Sequence, residues 1–335
     1  MIYRTLGRTN YRVSALGLGG FQFTGFFGVS PEEADHIIDY AIEHGINLID
    51  TAQAYGFGEG EAIVGRALQR HKTDRPYVCA KVGHLHELIS RARGDAAFQD
   101  PDEIMRNIKH SMWVMRVDCF DMLLIHELDR QWHANYDTGD AVVTEVLEQC
   151  KKDGLTKFIG AASWDSNALA RMIKTDRIDV VMSAGGISLL SRPICDELLP
   201  AAQEHNVGVM VGGCLGQNNP GLVSVRRDAA DRFMKSDDPK LAMLGKKLNG
   251  LYDIAEEQGL NMIQMALRYV MSNEQIHSDP MGAREVAHVA DNIKTAEMGV
   301  LDADVVAKIN AVQDMGESYD GLELATMVRT QHIFD

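Results

Sequence analysis

The chain is poor in the residues that mark special environments: eight prolines, three tryptophans and five cysteines in 335 residues, with aromatics at 7%. The cysteines, at positions 79, 119, 150, 195 and 214, are odd in number, widely spaced and never arranged as C-x-x-C. That excludes a disulfide framework and a cysteine zinc site, and buried thiols are expected instead. No uncharged apolar run approaches the ~18 residues of a membrane span, and Met1–Leu6 lacks the apolar core of a secretion signal. A cytoplasmic location is the expectation. Basic side chains are in deficit, 33 against 48 acidic, giving a net charge of −15. Binding a nucleic-acid backbone requires a basic face, so no such partner is expected, and any anionic ligand must be held by local groups. No Pro/Gly/Ser-rich linker or low-complexity tract divides the chain, so residues 1–335 are read as one domain. Its 45% hydrophobic content suffices for a large core. A homo-oligomer is compatible with this composition.

What is present is alternation. Leu6–Asn10 reads as the turn of an N-terminal hairpin. Short apolar runs then recur at 14–18, 47–50, 77–81, 120–125, 157–161, 179–182 and 208–211, with a weaker eighth at 276–278. Helical patterns separate them. Ser30-Pro31-Glu32-Glu33 combines an N-cap serine, a proline at the first helical position and a glutamate three residues on, and Gly45 supplies the stop. Asp100-Pro101-Asp102-Glu103 repeats the device. Eight strand–helix units predict an α/β fold, a single (β/α)8 TIM barrel with the hairpin in front and an extra helix and tail behind. An open doubly wound sheet is the weaker alternative, because Gly17-Leu18-Gly19-Gly20 lacks the third glycine of a dinucleotide fingerprint.

In a barrel the C-terminal ends of the strands converge on one face, where catalytic groups sit. Asp50, Lys81 and His126 each end an apolar run, and Tyr55 follows Asp50 by five residues. A phenol, with a pKa near 10, is a poor acid at neutral pH unless a cation favours its anion. Lys81 is therefore expected to lower the Tyr55 pKa, with Asp50 keeping the lysine charged and His126 bonding the phenol or relaying its proton. Such a phenol protonates a carbonyl oxygen as hydride reaches the carbon.

The segment Gly45-Ile46-Asn47-Leu48-Ile49-Asp50-Thr51-Ala52, with Tyr55-Gly56, Glu59 and Gly65-Arg66-Ala67-Leu68, resembles the first signature of the aldo-keto reductase superfamily. Met122–His126, Gly154–Gly160, and Gly282-Ala283-Arg284 with Asn292 extend the resemblance from about Leu6 to Asn292. It implies a tetrad of Asp50, Tyr55, Lys81 and His126, with Tyr55 as general acid in reduction and base in oxidation. The cofactor implied is NADP or NAD, with neither strongly preferred, and no metal is required. Small carbonyl or sugar substrates are implied as the partners. The resemblance also admits a second class, a nucleotide-sensing module of slow turnover like the relatives that partner potassium channels.

By the same resemblance, Ser163, Met182, Gly212, Gly213, Cys214, Gly282, Arg284, His288, Asp291 and Asn292 are the candidate cofactor residues. The chain departs from the family here. Ala162 and Met182 replace an asparagine and a glutamine that hold the carboxamide, and Gly212-Gly213-Cys214 replaces a stacking aromatic. Gly212 and Gly213 allow close backbone approach to a ligand, or a turn needing positive φ. Arg284 offers a planar fork to a 2′-phosphate near a helix N-terminus. Leu198-Leu199-Pro200 and Val207-Gly208-Val209 are similar to the aldose 1-dehydrogenase branch, from which Gly186-Ile187 departs.

Substrate candidates are Phe21, in a run with Phe23, Phe26 and Phe27, and Glu127 and Trp132 in the polar loop after His126. A loop of that kind stacks on a sugar face and bonds its hydroxyls, or is simply solvated. His84 and His86 form an H-x-H pair without evident further ligands. Met262, Met265 and Met271 share a helical pattern and read as packing.

Overall fold

The computed structural model describes residues 1–83, 99–128, 139–216 and 225–316. Tyr3–Thr5 (β1) and Arg12–Ser14 (β2) pair antiparallel around a 3-10 turn at Gly7–Thr9. Asn10 ends that turn with φ 58°, a left-handed conformation that asparagine tolerates better than most side chains. The expected hairpin is therefore present.

Eight strands follow: Leu16–Gly19 (β3), Leu48–Asp50 (β4), Tyr77–Val82 (β5), Phe120–Ile125 (β6), Thr156–Ser163 (β7), Val180–Ala184 (β8), Gly208–Gly212 (β9) and Asp279–Gly282 (β10). Neighbours are parallel in the order β10-β3-β4-β5-β6-β7-β8-β9. The two edges of the sheet meet in a single bridge, Met210 to Ser278, supported by Val211 N donating to Ser278 O at 3.0 Å and His277 N donating to Val209 O at 2.8 Å, so the barrel is nearly closed. One expectation is corrected here. The apolar run at 276–278 makes this closure, and the eighth strand comes after it, at Asp279-Pro280-Met281-Gly282. Aspartate, proline and glycine are poor strand formers, so the segment carries no strand signal of its own.

The helices are Pro31–Glu43 (α1), Glu59–Arg70 (α2), Pro101–Met115 (α3), Val142–Lys152 (α4), Ser166–Ile173 (α5), Leu198–Glu204 (α6), Arg227–Met234 (α7), Pro239–Glu257 (α8), Met262–Met271 (α9), Val286–Glu297 (α10) and Ala303–Gln313 (α11). Helix α1 starts with the expected capping box, Glu33 N to Ser30 Oγ at 3.2 Å and Ser30 N to Glu33 Oε2 at 2.9 Å. It stops at Gly45, φ 91°, where Gly45 N reaches Ile42 O and Ile46 N reaches Ala41 O, satisfying two terminal carbonyls. Asp100 caps α3 by accepting from the backbone of Asp102 and Glu103. The buried face of α1 is Ala34, Ile37, Ile38, Ala41 and Ile42, the spacing of one helical stripe.

The barrel is filled by Leu48, Cys79, Met122, Leu124, Ala162, Val180, Met182 and Met210, and the hairpin adds Leu6 and Val13 to this cluster. Tyr11 stacks on Tyr77, ring centroids 4.1 Å apart, and meets Phe158 edge-on at 5.1 Å. Tyr77 and Phe158 lie at the N-terminal ends of their strands, so the hairpin plugs that end of the barrel. Fully burying Leu6 and Val13 contributes about 1.5–3 kcal/mol each. The opposite, C-terminal end remains for function.

Backbone contacts group the chain into two units. The first, the described residues within 1–184, 195–212 and 275–293, holds the hairpin and barrel. The second comprises the described residues within 185–194, 213–274 and 294–316. Within it, buried Lys247 on α8 donates to Gln313 O at 2.9 Å, and Tyr269 on α9 donates to Asn310 Oδ1 at 2.7 Å. Met262, Met265 and Met271 are all buried on α9, in keeping with packing. Among the described residues no helix is long and apolar enough to cross a membrane. Cys79, Cys150 and Cys214 are buried, and all five cysteines are free thiols.

Candidate active site

Asp50 is the last residue of β4, 5% exposed, and its backbone is held from both sides. Gly20 N donates to Asp50 O at 2.8 Å, and Thr51 N to Cys79 O at 2.8 Å. A Cβ on Gly20 would stand 2.5 Å from Asp50 O, so only glycine permits this approach. The chain then turns sharply. Tyr55 N donates to Ala52 O, and Gly56, Phe57 and Gly58 all have positive φ before α2 begins. Gly60 N donates to Tyr55 O at 3.0 Å, and a Cβ at Gly60 would press on Tyr55 Cβ at 3.0 Å. The loop leaves the Tyr55 side chain half-buried above the barrel.

Lys81, near the end of β5, is 2% exposed. Its ammonium has three acceptors: Asp50 Oδ1, Thr51 O at 3.3 Å and the Tyr55 hydroxyl at 3.1 Å. Three donors and three acceptors satisfy the buried charge. The Tyr55 hydroxyl in turn donates toward Asp50 Oδ2 at 3.3 Å. His126 follows β6 directly, its N donating to Val82 O at 2.7 Å. Its ring meets the Tyr55 ring edge to face, centroids 5.8 Å apart at 83°. A Cβ on Gly83, φ 145°, would lie 2.9 Å from His126 O, so a glycine is needed for His126 to come this close. Residues separated by up to 76 positions thus meet on one face.

The expected lowering of the Tyr55 pKa is not what this arrangement gives. Burial first, and then the Asp50 charge, push it up, outweighing the charge and hydrogen bond of Lys81. The physical reason is burial, which disfavours the phenolate, together with pairing: the phenol faces a neutral Lys81–Asp50 couple, not a lone cation. Burial alone would lower the Lys81 pKa, but the negative charge of Asp50 reverses it and the ammonium stays charged. Tyr55 is thus held as a protonated phenol beside a permanent cation.

The cofactor candidates sit as follows. Ser163 ends β7, buried, its Oγ accepting from Asp165 N at 2.9 Å. Met182 on β8 belongs to the barrel-filling cluster. Gly212 ends β9, and a Cβ there would meet nothing within 4 Å among the described residues. Gly213 has φ 75°, a conformation that itself favours glycine, and Cys214 is buried. Gly282 ends β10, and Arg284 lies two residues before α10, half-buried, with no carboxylate partner among the described residues. His288 is exposed, its Nε2 3.3 Å from Glu285, and α10 carries exposed Asp291 and half-buried Asn292.

On the substrate side, the Phe21 ring lies 5.2 Å from that of Tyr55 and is 41% exposed. Glu127, φ 52°, accepts from the Trp164 indole at 3.3 Å. Trp132, His84 and His86 lie outside the described residues. Glu59, quoted above only as part of a motif, accepts from Gly25 N at 2.8 Å and ties the phenylalanine loop to the Tyr55 loop. Gln22 and its contact with Arg284 also had no local signal, since the partners are 262 residues apart.

A nearly closed parallel barrel with four polar side chains gathered at its C-terminal strand ends has the plan of the barrel enzymes, which place their catalytic groups on that face. The chain belongs to the Aldo/keto reductase family, whose family model matches residues 15–314. It is similar to pyridoxal 4-dehydrogenase of Microbacterium luteolum, 26% identical across 89% of this chain and 94% of the relative. It is also similar to a D-threo-aldose 1-dehydrogenase of a Pseudomonas species, 26% identical across 86% and 91%. Among solved structures, an aldo-keto reductase from Bacillus halodurans in its holo form shares the fold, with a TM-score of 0.72 at 23% identity over 95% of this chain and 98% of that one. As a family member the protein is an NAD(P)-dependent oxidoreductase acting on carbonyl or alcohol substrates.

Proposed function

We propose that Tyr55 is the general acid of carbonyl reduction and the general base of alcohol or hemiacetal oxidation. The observation that carries this is the Lys81 ammonium 3.1 Å from the Tyr55 hydroxyl, itself anchored on buried Asp50. The nicotinamide, when bound, supplies or accepts the hydride. The chain's own part is the proton and the charge. In reduction Tyr55 gives its proton to the carbonyl oxygen, and the phenolate left behind is met at once by the Lys81 cation. In oxidation that phenolate takes the hydroxyl proton. Asp50 keeps Lys81 charged and in place, and His126, edge-on to Tyr55, orients the carbonyl.

The residues at the strand ends fit a nicotinamide dinucleotide. Among the described residues nothing crowds the Cβ position of Gly212 and Arg284 is a cation without a carboxylate partner, while Ser163 offers a hydroxyl for an amide. Asn292 is assigned to the adenine side in this reading. Both NADH and NADPH are cofactors in this reading. The substrate is a hydroxylated aldehyde or aldose, with a flat face against Phe21 and hydroxyls toward Glu127. The likeness to D-threo-aldose 1-dehydrogenase supports that choice.

Steady-state assays of Tyr55→Phe with a panel of sugars and aldehydes test the reading. Turnover is expected to vanish while cofactor affinity by fluorescence titration stays nearly unchanged; full kcat in the variant sinks the assignment.

A further inference from the structure

The loop after β3 reaches in two directions. At one end Phe21 lies on the Tyr55 ring, and at the other Phe27 lies under Arg284, whose guanidinium carbon is 4.8 Å from the ring centroid. The two phenylalanines touch edge to face at 4.9 Å. Between them, Gln22 Oε1 accepts from Arg284 Nε at 3.0 Å. A Cβ on Gly282 would stand 2.2 Å from Gln22 Cγ and 3.0 Å from its Cβ. Gly282 is exposed and its φ is not positive, so its backbone conformation does not call for glycine. It is bare because Gln22 lies across it.

This arrangement fixes one edge of the Arg284 fork and leaves the other. With Nε bonded to Gln22 and one face on Phe27, the two terminal amino groups have no hydrogen-bond partner among the described residues. A pair of parallel N–H donors of that kind matches two oxygens of a phosphate. An unrestrained arginine loses substantial rotamer freedom on gripping an anion, and a fork already oriented loses less. We propose that Gln22, seated on Gly282, is a positioning residue that sets the affinity of Arg284 for the 2′-phosphate of NADP(H). The proposal rests on the nicotinamide-dependent reading above. Gln22 has no reason to touch NADH binding through this route, because NADH has no 2′-phosphate.

Fluorescence titrations of the full-length protein with NADPH and with NADH, without substrate, test it. Loss of one hydrogen bond predicts that Gln22→Ala weakens NADPH about fivefold to tenfold relative to NADH. Gly282→Ala is expected to do the same, because its Cβ would overlap Gln22 Cγ and displace that side chain. The double variant is expected to be no worse than either single one, since both remove the same contact. An unchanged NADPH-to-NADH ratio in Gln22→Ala overturns the proposal alone, as does parallel weakening of both nucleotides. A wild-type protein that binds neither nucleotide overturns the nicotinamide reading and the proposal together.

Discussion

Lys81 and Asp50 form a buried ion pair at the C-terminal ends of β5 and β4, 2% and 5% exposed. Each makes the other tolerable, and the loss of one leaves an uncompensated buried charge. Lys81→Met is therefore expected to destabilise the fold by about 3–5 kcal/mol, whereas Lys81→Met combined with Asp50→Asn is expected to be milder. Urea unfolding of the three proteins checks this. Equal losses in the single and double variants would mean the pair contributes only through packing.

The upward direction of the Tyr55 pKa predicts the pH profile of reduction. A group that must be protonated to act, and whose pKa lies above its ordinary value near 10, remains competent through neutral and mildly alkaline pH. kcat/KM for reduction is expected to stay flat between about pH 6 and 9. A fall with an apparent pKa near 7 would assign the acid to another residue, with His126 first in line.

Glu61 on α2 is a second buried acid, 1% exposed, with Oε1 lacking a partner among the described residues. Burial raises its pKa from 4.5 to about 7, a bond from Ser111 opposing. The folded state thus binds the proton more tightly than the unfolded chain. Stability is full below pH 4.5 for this group and declines as pH rises to about 7, where the carboxyl must ionise in place. Glu61→Gln is expected to remove that slope and to stabilise the protein by about 3 kcal/mol above pH 7, measured by urea unfolding across pH. Parallel pH profiles in the two proteins would contradict it.

His277 gives the opposite sign at the barrel's seam. Its Nδ1 accepts from Val209 N at 3.0 Å, and burial lowers its pKa. The unfolded chain therefore binds this proton more readily, and stability is lost as pH falls below about 6.5. His277→Asn is expected to flatten the acid limb of a thermal-unfolding series. An unchanged acid limb would place that sensitivity elsewhere.

Much of this was readable in advance because it depends on local order. Alternating apolar runs gave the strands, and that Asp50, Lys81 and His126 come together was legible because each lies at or next to a strand end, where a barrel gathers its side chains. The last strand escaped because Asp279-Pro280-Met281-Gly282 takes its strand form from neighbours β3 and β9, not from its own residues. The sign of the Tyr55 shift was hidden for another reason: spacing shows which charges are present, and only packing decides whether burial outweighs them. The clasp of Gln22 on Arg284 joins opposite ends of the chain, and nothing local announces it.

The hairpin that carries Leu6 and Val13 into the barrel does more than add buried surface. It fills the N-terminal end of the strands, while the Lys81–Asp50 pair sits beside the Tyr55 hydroxyl at the other end. On the proposed reading, a proton given up by Tyr55 is then replaced from the side where substrate enters, so recharging the acid and releasing the product share a passage.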